Sequence, residues 1–193
     1  MNESGNGSLS LDYAIRLKRL QSATWKQFID VQAPYRANLK RLRRGLTLDV
    51  GCGVGRNLRN LGYNVVGVDM NEDCVAMARA DGFPAYTPDK LPEVMFDTLL
   101  FAHVLEHVRE PAEVVREYLP RLRRNGQIIL ITPQEAGYAS DPTHVTYLDD
   151  RSLSDVVHQI GMRSVKSYSF PFPRWAGPLF TYNEFVLVAR FDE

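Results

Sequence analysis

The sequence predicts an α/β fold: one open, mostly parallel sheet with helices on both faces. Three observations predict it. From Thr47 onward, short apolar runs alternate with segments of helical periodicity. The run Phe96-Asp97-Thr98-Leu99-Leu100-Phe101-Ala102 is nearly continuous, as expected of a strand covered on both faces. Gly51-Cys52-Gly53-Val54-Gly55 separates the first apolar run from a helix. A chain that turns sharply from strand to helix under a ligand needs residues that accept positive φ and carry no Cβ.

Residues 1–10 are polar and rich in Gly, Ser and Asn, and read as a flexible tail; residues 11–193 then form a single domain. From Leu11 to about Asp30, Leu17, Leu20, Trp25, Phe28 and Ile29 recur at helical spacing. Pro34 opens a second helix reaching Leu42, with proline in a tolerated first-turn position. Thr47–Val50 is the first strand and Arg56–Leu61 the helix after it. Asn64–Asp69 is the second strand, and Glu72–Ala80 is a helix stopped by Asp81-Gly82. A short third strand is expected at Pro84–Tyr86, followed by the Phe96–Ala102 strand. Pro111–Arg124 reads as a helix with a proline start and an Asn125-Gly126 stop. Gln127–Thr132 is the fifth strand, Ser152–Ile160 a helix, and Ser164–Ser169 and Tyr182–Phe191 the last strands.

Composition narrows the class. At 193 residues the chain can bury a substantial core, and 45% hydrophobic with 24% charged residues is ordinary for a soluble globular protein. Lys+Arg and Asp+Glu both number 23, so no global basic excess points to nucleic acid. Two cysteines are too few for a disulfide framework, which suits a reduced, cytoplasmic setting. No apolar run is long enough to span a bilayer, and no signal peptide is read.

Asp69 closes the second strand about twenty positions after Gly51, where a carboxylate accepts hydrogen bonds from ribose hydroxyls. The third glycine is Gly55, with Arg at 56, so the spacing from Asp49 is D-x-G-x-G-x-G. This pattern resembles motif I of the class I S-adenosylmethionine (SAM) dependent methyltransferases, one residue away from the dinucleotide fingerprint. The resemblance covers nearly the whole chain. It implies a Rossmann-like sheet of seven strands with the last antiparallel, and SAM held by Asp49, Gly51, Cys52, Gly53, Gly55, Asp69, Met70, Thr87, Ala102 and His103. It also implies that the helices of residues 11–44 cover SAM; from the first helix Tyr13, Arg16 or Lys26 can grip its carboxylate, and each reads equally as a solvated charge. Thr87 stands where such enzymes usually place an acid beside adenine, and Pro88 has no amide to offer there.

Three of the four histidines fall at the ligand edge of the sheet. His103, Glu106 and His107 follow the fourth strand at i, i+3 and i+4, spacing that places them on one face of a helical turn. His144 comes from the loop after the fifth strand. The set resembles the Glu-x-x-Glu-His metal motif of small-RNA 2′-O-methyltransferases and ubiquinone-pathway O-methyltransferases, the RNA enzymes adding a later His. The resemblance implies a divalent metal on Glu106, His107 and His144, with His103 in place of the first Glu; that change favours a transition metal over magnesium. A second reading makes His144 a general base oriented by Asp141, with His107 beside it. A third leaves Glu106 and His107 as braces of the loop around SAM.

Residues 133–150 and 170–183 are the expected acceptor-side loops. The second, Phe170-Pro-Phe-Pro-Arg-Trp-Ala-Gly-Pro-Leu-Phe-Thr-Tyr-Asn183, is unusually aromatic, and Tyr138 in the first adds another ring. Such rings stack on sugar faces or form homodimer contacts. Ala33–Arg36, His103–His107, Gln134–Tyr138 and Ser140–His144 resemble a family of small actinobacterial methyltransferases, one mycobacterial member of which is a 1-O-methyltransferase that caps methylmannose oligosaccharides. The expectation is an O-methyltransferase acting on a sugar hydroxyl. An RNA 3′-end methyltransferase or a non-catalytic SAM-binding protein are the alternatives.

Overall fold

The computed structural model describes residues 32–191. The tail, the first expected helix, and Tyr13, Arg16 and Lys26 lie outside the described residues. Seven strands form one sheet in the order β3-β2-β1-β4-β5-β7-β6. The chain divides into two compact units, one ending at Pro92 and the other beginning at Glu93.

In the first unit, α1 (Ala33–Leu42) starts on Pro34 and buries Asn38, Leu39 and Leu42. β1 (Thr47–Val50) is buried at every position, so it shows no alternation. It pairs in parallel with β2 (Val65–Val68), Asp49 opposite Gly67. β2 in turn pairs with the two-residue β3 (Ala85–Tyr86). Between β1 and β2, α2 (Arg56–Leu61) begins on Gly55, in the left-handed helical region, and ends on Gly62, also at positive φ. After β2 comes α3 (Glu72–Ala80), whose Asn71 cap accepts from the Asp73 and Cys74 amides. Gly67 is required by packing: a Cβ there would lie 2.6 Å from Cys52 Sγ and 2.9 Å from Leu58 Cδ1.

In the second unit, β4 (Phe96–Ala102) pairs in parallel with β5 (Leu122–Pro133). β7 (Glu184–Phe191) runs antiparallel to β5, and β6 (Met162–Phe170) antiparallel to β7. The antiparallel seventh strand is as expected. Phe96, Leu99, Leu100, Phe101, Ile128, Ile129 and Leu130 are fully buried; each contributes roughly 1.5–3 kcal/mol of transfer free energy. The edge strand β6 carries exposed Arg163 and Lys166, which discourage further pairing.

Two expectations are corrected here. The helix from Pro111 stops at Tyr118 (α4), not Arg124, and a 3₁₀ turn at Leu119–Arg121 follows. Pro120 has no N–H for a helical bond and ends the helix. Asn125-Gly126 therefore lies inside β5. Phe96 faces Leu122 while Thr98 faces Gln127, so residues 123–126 bulge out of the ladder. Gly126 permits the bulge, because a Cβ there would sit 2.4 Å from Leu122 Cδ1. The stretch 133–150 holds a short helix, α5 (Glu135–Ala139), and the start of α6 (Asp150–Gln159), capped by Asp149 and Ser152. His158 is exposed on α6, in keeping with a polar-face role. Among the described residues no helix is long and apolar enough to cross a membrane.

Candidate functional site

The glycine turn of the first unit is left-handed at three positions, with φ of 68° at Gly51, 53° at Gly53 and 85° at Gly55. The Gly51 and Cys52 amides both donate to the Val68 carbonyl, at 2.8 and 3.1 Å, tying the turn to the end of β2. The Gly53 amide donates to Asp69 Oδ2 at 2.7 Å, and the Asn71 amide to Asp69 Oδ1 at 2.8 Å. Asp69 is thus held rigidly, with lone pairs left for a diol. Burial raises its pKa, and those two amide bonds act against the rise.

Asp49 is fully buried at the end region of β1. Asn57 Nδ2 donates to its Oδ1 at 3.1 Å, and Tyr35 Oη donates to Asn57 Oδ1 at 3.2 Å. Among the described residues Asp49 Oδ2 has no hydrogen-bond partner. Burial pushes the Asp49 pKa up to about 7, against the pull of Asn57 and of the Arg56 guanidinium. An unpartnered buried carboxylate oxygen is costly and fits a cationic ligand group. Cys52 is buried, and burial pushes its thiol well above the usual range, so it acts as a small apolar group. Met70 is exposed after β2, and Thr87 is buried after β3.

The second unit carries the histidine and carboxylate cluster. β4 ends at Ala102, and His103 adopts φ of 60°. Leu105–His107 is then a 3₁₀ turn rather than an α-helical one, so His107 does not share the His103–Glu106 face. His103 is engaged at both ring nitrogens: Nδ1 lies 3.2 Å from Glu106 Oε1 and Nε2 lies 2.8 Å from Glu184 Oε1. Burial disfavours its charge, but the bonds and fields of the two carboxylates prevail and push the pKa up to about 9. An imidazolium has no lone pair for a cation.

His107 and His144 stand differently. His107 Nδ1 lies 3.1 Å from Thr143 Oγ1 and 3.3 Å from the Thr143 carbonyl. Thr143 Oγ1 donates to Asp141 Oδ1 at 2.7 Å, so its oxygen accepts from His107. His144 Nδ1 donates to the Tyr138 carbonyl at 2.8 Å. A carbonyl only accepts, so each Nδ1 carries a proton, and in the neutral tautomer the lone pair is on Nε2. Asp141 therefore braces Thr143 and, through it, His107; the expected orientation of His144 comes from Tyr138 instead. The two imidazoles pack at 4.8 Å between centroids, and the Tyr138 ring stacks on His144 at 5.3 Å. Val145 and Thr146 amides donate to the Glu106 carbonyl at 2.8 and 3.1 Å, pinning the His144 loop to the 3₁₀ turn.

Glu106, His107 and His144 can each offer one donor atom, all within 4.8 Å of one another. His144 Nε2 is 4.0 Å from Glu106 Oε1, and Glu106 Oε2 is buried with no hydrogen-bond partner among the described residues. Burial resists the charge on Glu106, but His103 outweighs it and holds the carboxyl below its usual range. Burial lowers the pKa of His107. The result is one carboxylate and two imidazoles whose donor atoms converge. That donor set fits a divalent cation, and equally leaves His144 Nε2 free to take a proton.

Sequence reasoning missed Glu184 and the supporting Asn57, Asn71 and Tyr138 carbonyl. The one available signal was an acid opening the otherwise apolar run Glu184-Phe185-Val186-Leu187-Val188-Ala189.

The ubiquinone biosynthesis O-methyltransferase of Pseudomonas aeruginosa (strain UCBPP-PA14) is 34% identical over 117 residues, 51% of this chain and 50% of the relative. The mitochondrial ubiquinone biosynthesis O-methyltransferase of Saccharomyces cerevisiae is 30% identical over 118 residues, 53% of this chain and 38% of the relative. The chain spans about half the length, or less, of the curated relatives it matches. A SAM-dependent methyltransferase from Archaeoglobus fulgidus superposes with TM-score 0.68 at 18% identity, covering 92% of this chain and 99% of that one. The DhpI–SAH complex gives 0.65 at 19%, covering 98% of each. At these identities the structural likeness shows the fold, the class I methyltransferase sheet. The family described as a methyltransferase domain matches residues 18–167, well over half the chain, and takes in both the glycine turn and the histidine cluster; the protein belongs to the methyltransferase-domain family.

Proposed function

We propose that this protein is a SAM-dependent O-methyltransferase that acts on a sugar hydroxyl, with Glu106, His107 and His144 promoting loss of the hydroxyl proton. The observation that carries the reading is the convergence of the Glu106 carboxylate with two Nε2 lone pairs. The first unit holds the donor: the open glycine turn admits it closely, Asp69 accepts from its ribose, and the free Asp49 oxygen faces its cationic end. The second unit prepares the acceptor.

The acceptor oxygen attacks the methyl carbon in line, the carbon–sulfur bond breaks, and its electron pair neutralises the sulfonium. The acceptor's proton passes to His144 Nε2, whose other nitrogen stays locked on the Tyr138 carbonyl. A divalent cation held by Glu106, His107 and His144 would take that same Nε2 lone pair, and would then lower the hydroxyl pKa itself in place of His144 as base. The chain's own residues supply orientation, which is most of what a displacement at methyl requires. Phe172, Trp175 and Tyr182 are exposed in the 170–183 segment, and rings of this kind suit a sugar face. The resemblance to methylmannose-capping enzymes narrows the proposed acceptor to a mannoside. The same segment is the proposed homodimer contact, and both cysteines are free, as a reduced cytoplasmic setting requires.

The test is methyl transfer from labelled SAM to oligosaccharides, phenols and RNA 3′ ends. Transfer to saccharides alone is expected. Transfer to RNA ends in their place would move the function to the alternative class, and SAM binding without transfer to any of them would leave a non-catalytic binder.

A further inference from the structure

We propose that Glu184, acting through His103, is a positioning residue that sets the Glu106 carboxylate for cation binding. The inference rests on the reading of Glu106, His107 and His144 as cation ligands. Glu184 opens β7 some eighty residues after His103, opposite Pro133 and Phe170 in the ladder. Its backbone is fixed, with its carbonyl accepting from Gln134 Nε2 at 3.0 Å. Gln134 is itself held by Asn183 Nδ2 at 2.8 Å and lies 2.7 Å from Ser169 Oγ. From this rigid base Glu184 Oε1 grips His103 Nε2 at 2.8 Å, and His103 Nδ1 grips Glu106 Oε1 at 3.2 Å.

The consequence is geometric. Carboxylates only accept, so an imidazole between two of them donates from both nitrogens. His103 thereby fixes the Glu106 carboxylate through Oε1, the oxygen 4.0 Å from His144 Nε2, and leaves Oε2 buried with no hydrogen-bond partner among the described residues. His103 pays for its place in backbone strain: φ of 60° is unusual for a residue with a Cβ, and only fixed surroundings keep it there. Its amide bond to the Ile131 carbonyl at 3.0 Å and the two carboxylates supply those surroundings. Without Glu184 the ring has one anchor in place of two, and Glu106 can rotate toward the His144 Nε2 that lies 4.0 Å away.

Cobalt(II) titration of the full chain, followed by visible absorption without donor or acceptor, tests this. Glu184→Ala should weaken cobalt binding roughly ten- to a hundredfold, the range for an outer-shell partner. Glu184→Gln, whose amide can still bond the same ring nitrogen, should stay within about threefold of the native protein. SAM affinity should not change in either. If Glu184→Ala fails to fold, His103→Asn with Glu184→Gln takes its place: Asn accepts the left-handed backbone and is too short to join both carboxylates. Cobalt affinity equal to native in the folded variant, with only a lower melting temperature, would make the ion pair purely structural. A native protein that binds no cobalt would overturn both this inference and the cation reading beneath it, so the two failures are distinguishable.

Discussion

Asp49 gives the most demanding prediction, because its burial links donor binding to pH. Its carboxyl is raised from 3.8 to about 7 by burial, and Oδ2 has no hydrogen-bond partner among the described residues. The folded apo protein therefore holds a proton that the unfolded chain has lost. Stability from this group is present at low pH and lost as pH rises from about 4 to about 7. A gap of roughly three pH units corresponds to about 4 kcal/mol across that window. A donor whose ammonium and sulfonium favour ionised Asp49 must first displace the proton. At pH 5.5 only about 3% of a group with pKa 7 is ionised, and at pH 7 about half, so SAM affinity should rise about fifteenfold between them. Isothermal titration calorimetry in two buffers of different ionisation enthalpy reads both the affinity and the proton released. Asp49→Asn should bind more weakly at pH 7, flatten the profile and release no proton. Equal SAM affinity at pH 5.5 and 7 in the native protein, or the same slope in Asp49→Asn, would refute the reasoning.

Three further outcomes are expected. His144→Ala should lower kcat by about 10²–10⁴-fold while SAM affinity is kept, if His144 acts only on the acceptor; turnover near native would remove both proposed roles of His144. EDTA should abolish turnover and a divalent transition metal restore it, whereas full activity after chelation leaves His144 acting as base alone. Gly67→Ala should destabilise by about 1–3 kcal/mol in chemical denaturation, because its Cβ meets Cys52 Sγ at 2.6 Å; Cys52→Ala should recover part of that loss, and strictly additive effects would count against the clash.

Much of the fold was legible because it is written in local terms. The buried runs of β1, β4 and β5, the glycines that tolerate positive φ and the caps at Asn71 and Asp149 each act within a few residues of themselves. The misread boundary after Tyr118 arose because a helix-stop dipeptide and a bulge use the same residues. Asn125-Gly126 suits either, and only pairing with β4 separates them. The cluster was legible in part for a related reason. The i, i+3 spacing brought His103 to Glu106, but which ring nitrogen faces what depends on residues far along the chain.

The sequence by itself determined the α/β class, the glycine turn with its two carboxylates, and the set of histidines at the sheet edge. These follow from periodicity, φ tolerance and spacing, which need no long-range contact. The tertiary structure alone decided the chemistry of each histidine. It locked His144 on the Tyr138 carbonyl, braced His107 through Thr143 and Asp141, and turned His103 into a cation between Glu106 and Glu184. A side chain's protonation and orientation are set by the partners that packing brings within hydrogen-bonding distance. For Glu184 and His103 those partners are about eighty residues apart in sequence, beyond the reach of any local pattern.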